Sequence, residues 1–484
     1  MNLTLQHGIA LLPLLVTSAT AVAVMLGIAW RRSHAQTFIL SVVGLNLALV
    51  SVLVTLHVTP LEVTPLLRVD HFAGFFMALV LIASLACATL AHAYLEGKDD
   101  SGYPGNREEF YLLLLLATAG GLVLACAQNL AALFIGLELL SVPLYGMIGY
   151  AFFSRHSLEA SFKYLVLSAA GSSFILFGMA LWYSEVGSLS FAALADGALA
   201  GPLSQAGLAM MLVGFGFKLS VVPFHLWTPD VYEGAPVPAA ALLASASKVA
   251  IFAVLLRLFQ SVPVTDTDWL HGLIMVLGIA SMLAGNLLAL MQSNLKRLLG
   301  YSSVAHFGYL LMVLAGNGGG ETEAAAVYLA TYMLTTLGAF GVITLMSSPY
   351  KDRDCDALYE YRGLFWRRPY LTAVLTVMML SLAGIPLTAG FIGKFYLIAV
   401  GVDSHLWWML GALIIGSAIG LFYYLRVMVI LYLVEPTLRR REPPLNWGQQ
   451  AGGIMLLLIA FLTVALGIYP QPLLLLAQAA GLGG

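Results

Sequence analysis

Fourteen apolar stretches, each about as long as a membrane is thick, succeed one another along this chain, and no other feature restricts its fold as severely. They fall at roughly 8–29, 37–57, 72–95, 110–127, 129–150, 159–184 and 204–224, then at roughly 237–259, 269–291, 299–316, 322–346, 371–400, 406–433 and 450–473. Each can cross the roughly 30 Å of hydrocarbon in a bilayer. Backbone in that medium must satisfy its own N–H and C=O groups, so runs this long and uniformly apolar are expected to be helices. Length alone would suggest several soluble domains, but 60% of the 484 residues are hydrophobic and 10% charged, far below the roughly 25% charge of soluble domains. The expectation is one all-α polytopic membrane protein with about 14 transmembrane helices.

The distribution of Lys and Arg tests that count, because cytoplasmic loops hold the excess of positive charge. With the N- and C-termini on the external side, the cytoplasmic loops carry Arg31, Arg32, Lys98, Arg107, Arg155, Lys296, Arg297, Lys351, Arg353, Arg362, Arg367, Arg368 and Arg439 to Arg441, while the external side keeps Arg68 and Arg257. Lys163, Lys218, Lys248, Lys394 and Arg426 are left inside spans. Met1 to His7 contains no Lys or Arg, so the first run reads as a retained span and not as a cleaved signal peptide.

An internal echo organises the middle of the chain. Glu159-Ala160 with Tyr164-Leu165 recurs 164 residues later as Glu323-Ala324 with Tyr328-Leu329, and at the same offset Gly136 meets Gly300 and Tyr145 meets Tyr309. Five predicted helices separate the copies, and an odd number turns the second unit upside down, as in many transporters. Each unit holds one span interrupted by proline: Pro223 within 214–227 and Pro386 within 381–396. Proline removes an N–H and clashes with the preceding turn, so both spans should unwind near the membrane middle. The expected organisation is three N-terminal helices over 1–109, a first five-helix repeat over 110–260, a second inverted five-helix repeat over 261–434, and a loop with a last helix over 435–484.

The ionisable residues inside spans are where chemistry is expected. Lys248 lies about eleven residues from either end of its run, roughly 16 Å at the helical rise, too deep for its stem to reach water. A lysine there costs about 2.5 to 3.5 kcal/mol and needs a partner or a hydrated cavity. Lys218 precedes Pro223 by five residues and Lys394 follows Pro386 by eight, so both stand beside a break. A desolvated lysine can exchange a proton near neutral pH, which arginine in practice cannot. Glu138 is the one acid deep in a predicted span, and Lys218 is its expected partner. At about 4 Å and an effective dielectric of about 20 such a pair is worth roughly 4 kcal/mol, more than the roughly 2.3 kcal/mol that one charge gains across 100 mV. Making and breaking the pair would then gate a proton; a static structural ion pair is the competing reading. Lys163 and Arg426 lie nearer span ends, and His306 and His225 are secondary relay candidates that equally suit buried hydrogen bonding. Glu159 and Glu323 sit near helix starts, where acids complement the dipole.

Other chemistries find little support. Net charge is -2, without the basic footprint of a nucleic-acid binder. Cys87, Cys126 and Cys355 form no CxxC pair, so no zinc or iron–sulfur site is expected, and no metal or cofactor site is assigned. GFGFK lacks the ending of a phosphate loop.

NLAALFIGLELLSVPLYGMIGY (129–150), EASFKYLVLSAAGSS (159–173), PFHLWTPDVYEGAP (223–236), LKRLLGYSSVAHFGYLL (295–311) and GIPLTAGFIGKFYL (384–397) closely resemble the antiporter-like membrane subunits of proton-pumping NADH:quinone oxidoreductase, respiratory complex I. The WTPDVYEGAP wording and lysine at 394, where the M-type subunit has glutamate, favour the N type; the chain also ends without the long lateral helix of the L type. The resemblance implies a translocase subunit that couples electron transfer from NADH to quinone (ubiquinone among the candidates) with proton transport. It implies that Glu138 and Lys218 form the input half of the channel, Lys248 the central relay and Lys394 the output half, with Lys163 and His306 along the same axis. NADH, FMN, iron–sulfur clusters and the quinone site are then expected on partner subunits. The partners would be the neighbouring antiporter-like and small membrane subunits and the peripheral NADH-oxidising arm, in a bacterial inner membrane. A subunit of a multi-subunit sodium/proton antiporter is the alternative, and a purely structural membrane subunit a third reading.

Overall fold

The computed structural model describes residues 4–96, 106–194, 201–262, 264, 267–347, 354–433 and 447–481. Lys98, Lys351, Arg353 and Arg439 to Arg441, six of the expected cytoplasmic charges, and the boundary drawn at 434 lie outside the described residues. Helices account for nearly everything else: α1 Leu12–Trp30, α2 His34–Thr55, α3 His71–Glu96, α4 Glu109–Cys126, α5 Leu130–Ile148, α6 Arg155–Val186, α7 Pro202–Leu219, α8 Trp227–Gly234 and α9 Val237–Gln260. There follow α10 Asp268–Leu290, α11 Leu295–Ala315, α12 Glu321–Met346, α13 Pro369–Ala383, α14 Ala389–Asp403, α15 Trp407–Tyr432, α16 Trp447–Ile468 and the eleven-residue α17 Gln471–Gly481. A small antiparallel hairpin, Leu61–Thr64 with Leu67–Val69, joins α2 to α3 and is a departure from a purely helical chain.

Twelve helices among the described residues are long and apolar enough to cross a membrane. The two remaining runs of the expected fourteen, 204–224 and 371–400, are the two that contain a proline break. The first ends as a helix at Leu219, where Ser220 turns left-handed at φ 64°, and resumes as α8. The second ends at Ala383, where Gly384 has φ 81°, and resumes as α14. Ser220 and Gly384 are themselves 164 residues apart, so the offset of the sequence echo also relates the two breaks.

The most apolar windows of α9 and α11 are buried throughout and that of α12 nearly so, whereas less than half of those of α1, α15 and α16 is buried. Leu26, Phe177, Phe422 and Phe461 are among the large apolar side chains left on the outside, as lipid contact requires. Between helices, small residues permit close approach. A Cβ on Gly178 of α6 would stand 2.5 Å from the Gly207 oxygen of α7, and one on Gly214 would stand 2.5 Å from the Gly171 oxygen. The polar groups are therefore concentrated at the middle, on α9, α11 and α12 and on the two broken helices.

Candidate functional site

Lys218 is the second-last residue of α7, and its ammonium is buried between α5 and α6. It donates to Ser141 Oγ at 2.8 Å and to Ser168 Oγ at 2.7 Å. Tyr145 Oη also donates to Ser168, at 2.9 Å. One helical turn away, Ser172 Oγ donates to Glu138 Oε1 at 2.5 Å. Ser141 follows Glu138 by three residues and Ser172 follows Ser168 by four, so each serine faces the same way as its partner on its own helix. Glu138 and Lys218 do not form the expected direct ion pair: no contact within 4.0 Å joins them among the described residues. Two hydroxyls occupy the ammonium instead, and the carboxylate stands one level along the same ladder.

Lys248 sits directly after a π-turn, Leu243–Ser247, which shifts the register of α9 at this point. Its Nζ donates to the Leu219 main-chain oxygen at 2.8 Å and to Ser220 Oγ at 2.6 Å. Thr228 Oγ1 donates to the same Ser220 oxygen at 2.6 Å, and Trp227 Nε1 to the Phe217 oxygen at 3.0 Å. The Phe307 ring lies with its centroid 4.8 Å from the ammonium. The first break thus brings the end of the Lys218 helix onto Lys248. The second break repeats the arrangement: Lys394 Nζ donates to the Ala383 oxygen at 2.9 Å and lies 5.6 Å from the Tyr309 ring centroid. An ammonium has three protons to donate, and this hydrogen bond is the one formed by Lys394 among the described residues.

His306, on the next turn of α11 from Ser302 and Tyr309, is buried between two phenols. Its Nδ1 is 2.7 Å from Tyr328 Oη and its Nε2 3.2 Å from Tyr424 Oη, and Tyr424 is hydrogen-bonded onward to Ser302. Beside it a cavity of about 10 Å³, room for roughly one water, is lined by His306, Tyr332, Thr335, Ser381 and Gly390. His225, in the first break, is buried with neither ring nitrogen hydrogen-bonded among the described residues.

The remaining predicted residues lie apart from this axis. Lys163 is half-exposed and pairs with Glu159 and Asp230, both at 2.8 Å; its position on α6 is nine residues in, and Glu159 serves it as a counter-ion instead of capping the helix. Arg297 bridges Asp230 and Glu233, each at 2.7 Å. Burial raises the Asp230 carboxyl, but the hydrogen bonds from Lys163 and Arg297 outweigh that and hold it below the usual carboxylate range. Arg426 donates to the Leu290 and Gln292 oxygens, closing the end of α10.

Two residues, one assigned to a cytoplasmic loop and one to the external side, turn out to be buried. Lys296 is fully enclosed at the start of α11, where it donates to the Ala235 oxygen at 2.7 Å and pairs with Asp354 at 2.8 Å. Arg257 is enclosed against Asp70 at 2.7 Å. The serine ladder was also missed, since single serines in an apolar run carry no distinguishing pattern; a spacing of three or four from Glu138 and from each other was the available signal.

Comparison with known proteins places this arrangement among relatives. Residues 127–420 match the family described as NADH:quinone oxidoreductase/Mrp antiporter, transmembrane. The chain is 68% identical over 99% of its length, and 97% of the relative's, to NADH-quinone oxidoreductase subunit N of Ectopseudomonas mendocina (strain ymp). It is 62% identical over 96% of its length, and 97% of the relative's, to the protein of the same name from Chromohalobacter salexigens. Among solved structures, a chain of respiratory complex I from Thermus thermophilus with bound aureothin aligns at a TM-score of 0.82 and 33% identity, covering 98% of this chain and 100% of that one.

Proposed function

The chain belongs to the NADH:quinone oxidoreductase/Mrp antiporter membrane family, and from that premise we propose how it works as the proton-translocating N-type membrane subunit of NADH:quinone oxidoreductase. The sodium/proton antiporter alternative shares the fold, but the relatives at 68% and 62% identity are both named for the oxidoreductase.

Protons pass along three buried lysines. Residues 110–260 form the input half and 261–434 the output half. Lys218 takes a proton through the serines and Glu138, Lys248 receives it across the break, and Lys394 gives it up on the far side, with His306 as a relay and His225 and Lys163 as outlying members. The observation that carries this reading is the hydrogen bond from Lys248 to Leu219, the residue next to Lys218. Any movement of the broken helix changes the surroundings of both ammonium groups together. Charge is the coupling agent: a change in the charge or position of Glu138, one level along the serine ladder, favours or disfavours the ammonium at 218, and the two breaks let that preference travel along the chain.

NADH, FMN, iron–sulfur clusters and quinone are handled by partner subunits in this scheme. The neighbouring membrane subunits flank the chain, the peripheral arm oxidises NADH, and the whole sits in a bacterial inner membrane with both termini of this chain external. The test is Lys218→Ala and Lys248→Ala in the assembled enzyme, reconstituted in vesicles. The proton-to-electron ratio should fall in both; an unchanged ratio in both overturns the scheme. A purely structural subunit would lose assembly and keep pumping per assembled complex.

A further inference from the structure

The output lysine is braced by a residue that neither the sequence echo nor the lysine axis singles out. Asn286, on α10, is buried and its side chain is fully engaged. Its Nδ2 donates to the Met282 oxygen at 2.7 Å and to Tyr309 Oη at 2.8 Å, and its Oδ1 accepts from Tyr423 Oη at 3.0 Å. The α15 surface is hollowed to admit this group. A Cβ at Gly416 would stand 2.8 Å from Asn286 Nδ2 and 3.1 Å from Tyr309 Oη, and one at Gly420 would stand 3.2 Å from Asn286 Oδ1. The amide is therefore fitted between two tyrosines, and one of those, Tyr309, presents its ring to Lys394. In the first half the position 164 residues earlier is Leu122, so the brace belongs to the output side alone.

We propose that Asn286 is a positioning residue for proton release: it clamps Tyr309 so that the ring stays against the Lys394 ammonium and helps hold the charged form until release. This rests on the role of Lys394 proposed above. A ring face stabilises a nearby cation, the more so away from water, and Lys394 makes a single hydrogen bond, so the ring is a large share of what surrounds its charge. The helices packed against α14 carry these further titratable groups: Lys296, Arg297, Tyr301 and His306 on α11, Glu321, Glu323, Tyr328 and Tyr332 on α12, and Tyr423, Tyr424, Arg426 and Tyr432 on α15, with Tyr396 and Asp403 on α14 itself. Helix α13 brings only Tyr370, at its opposite end, and the described residues of α16 bring no ionisable side chain.

The experiment is the pH dependence of the proton-to-electron ratio in vesicles containing the whole NADH:quinone oxidoreductase with substituted chains. Asn286→Leu, which keeps the branched outline of the side chain and removes both hydrogen-bonding ends, should move the midpoint of the profile by about one pH unit toward acid. Tyr309→Phe keeps the ring and removes the hydroxyl that is clamped, and should give the same displacement, with the double variant moving no further. An unchanged profile in Asn286→Leu, or fully additive displacements, overturns the proposal. If Asn286→Leu fails to assemble, Tyr423→Phe removes one bond from the amide, and its profile must move in the same direction or the proposal fails. Lys394→Ala measured alongside separates the two levels: a full ratio there defeats the proposed function, whereas a lowered ratio there with an unmoved Asn286→Leu profile defeats only the brace.

Discussion

Leu219 and Ala383, 164 residues apart, each end a broken helix and each give a main-chain oxygen to a buried lysine, at 2.8 Å from Lys248 and 2.9 Å from Lys394. The last carbonyls of a helix have no partner within it and stand at the negative end of its dipole. An ammonium placed there finds an acceptor and a favourable dipole without a carboxylate. That matters for a proton carrier, because a full counter-charge would bind the proton far more firmly than a carbonyl does.

Replacing Lys248 by arginine keeps the positive charge at this helix end but installs a group that in practice never deprotonates. Lys248→Arg is expected to assemble and to oxidise NADH in uncoupled membranes, while its proton-to-electron ratio falls to that of Lys248→Ala. Parallel measurements of quinone reduction and vesicle acidification check this. A full ratio in the arginine variant would show that position 248 supplies charge and does not exchange a proton.

Ser220 has two duties, accepting from Lys248 and Thr228 and holding a left-handed backbone at φ 64°. A left-handed conformation costs a non-glycine residue about 1 to 2 kcal/mol, and a lost partner for a buried polar group about 1 to 3 kcal/mol. Ser220→Ala should therefore lower the thermal resistance of the purified enzyme, and Ser220→Gly, which relieves the backbone, should lower it less. Inactivation temperatures in that order are the expected result; equal losses would mean that the backbone at this position carries no strain.

The breaks and the lysines beside them were legible because proline and an intramembrane charge are both conspicuous in an apolar run. Pro223 and Pro386 marked the unwinding to within a few residues, and Lys218, Lys248 and Lys394 are all buried near it. What surrounds each lysine was not legible. Glu138 is the expected partner of Lys218, but the ammonium donates to Ser141 and Ser168 instead. The π-turn before Lys248 left no mark in the sequence LASAS. Lys296 reads as a loop charge because it falls between the runs 269–291 and 299–316, and contacts distant in sequence, to Ala235 and Asp354, are what enclose it.

Acid should expose the cluster around Asp230. Lys163 and Arg297 hold its carboxyl low, so the stability it contributes is complete above the unfolded value, near 3.8, and is lost only as pH falls through the lower folded value. Arg297→Gln removes one of the two cations and brings the folded value up, so the variant gains less from ionisation at Asp230, and the wild type's margin over it disappears below about pH 4. The difference in inactivation temperature between the two enzymes, followed from neutral pH downward, should shrink across that range. A constant difference would place the effect of Arg297 elsewhere.

Lys296 and Asp354 offer the sharpest contrast between a pair and its halves. The ammonium is fully enclosed and the carboxylate nearly so, with Tyr94 Oη donating to the second carboxylate oxygen at 2.8 Å. Asp354→Asn leaves that tyrosine contact and the Ala235 carbonyl in place but strands a buried charge, a change that costs about 3 to 5 kcal/mol when a partner is removed. Removing both charges together, in Lys296→Met with Asp354→Asn, forfeits the attraction and also the desolvation that opposed it, so the double variant should be more stable than the single one. Assembly level and inactivation temperature in membranes measure the order. Were the single variant as stable as the wild type, the enclosed pair would be a passive feature of the α11 entrance, and the burial of Lys296 would need another cause.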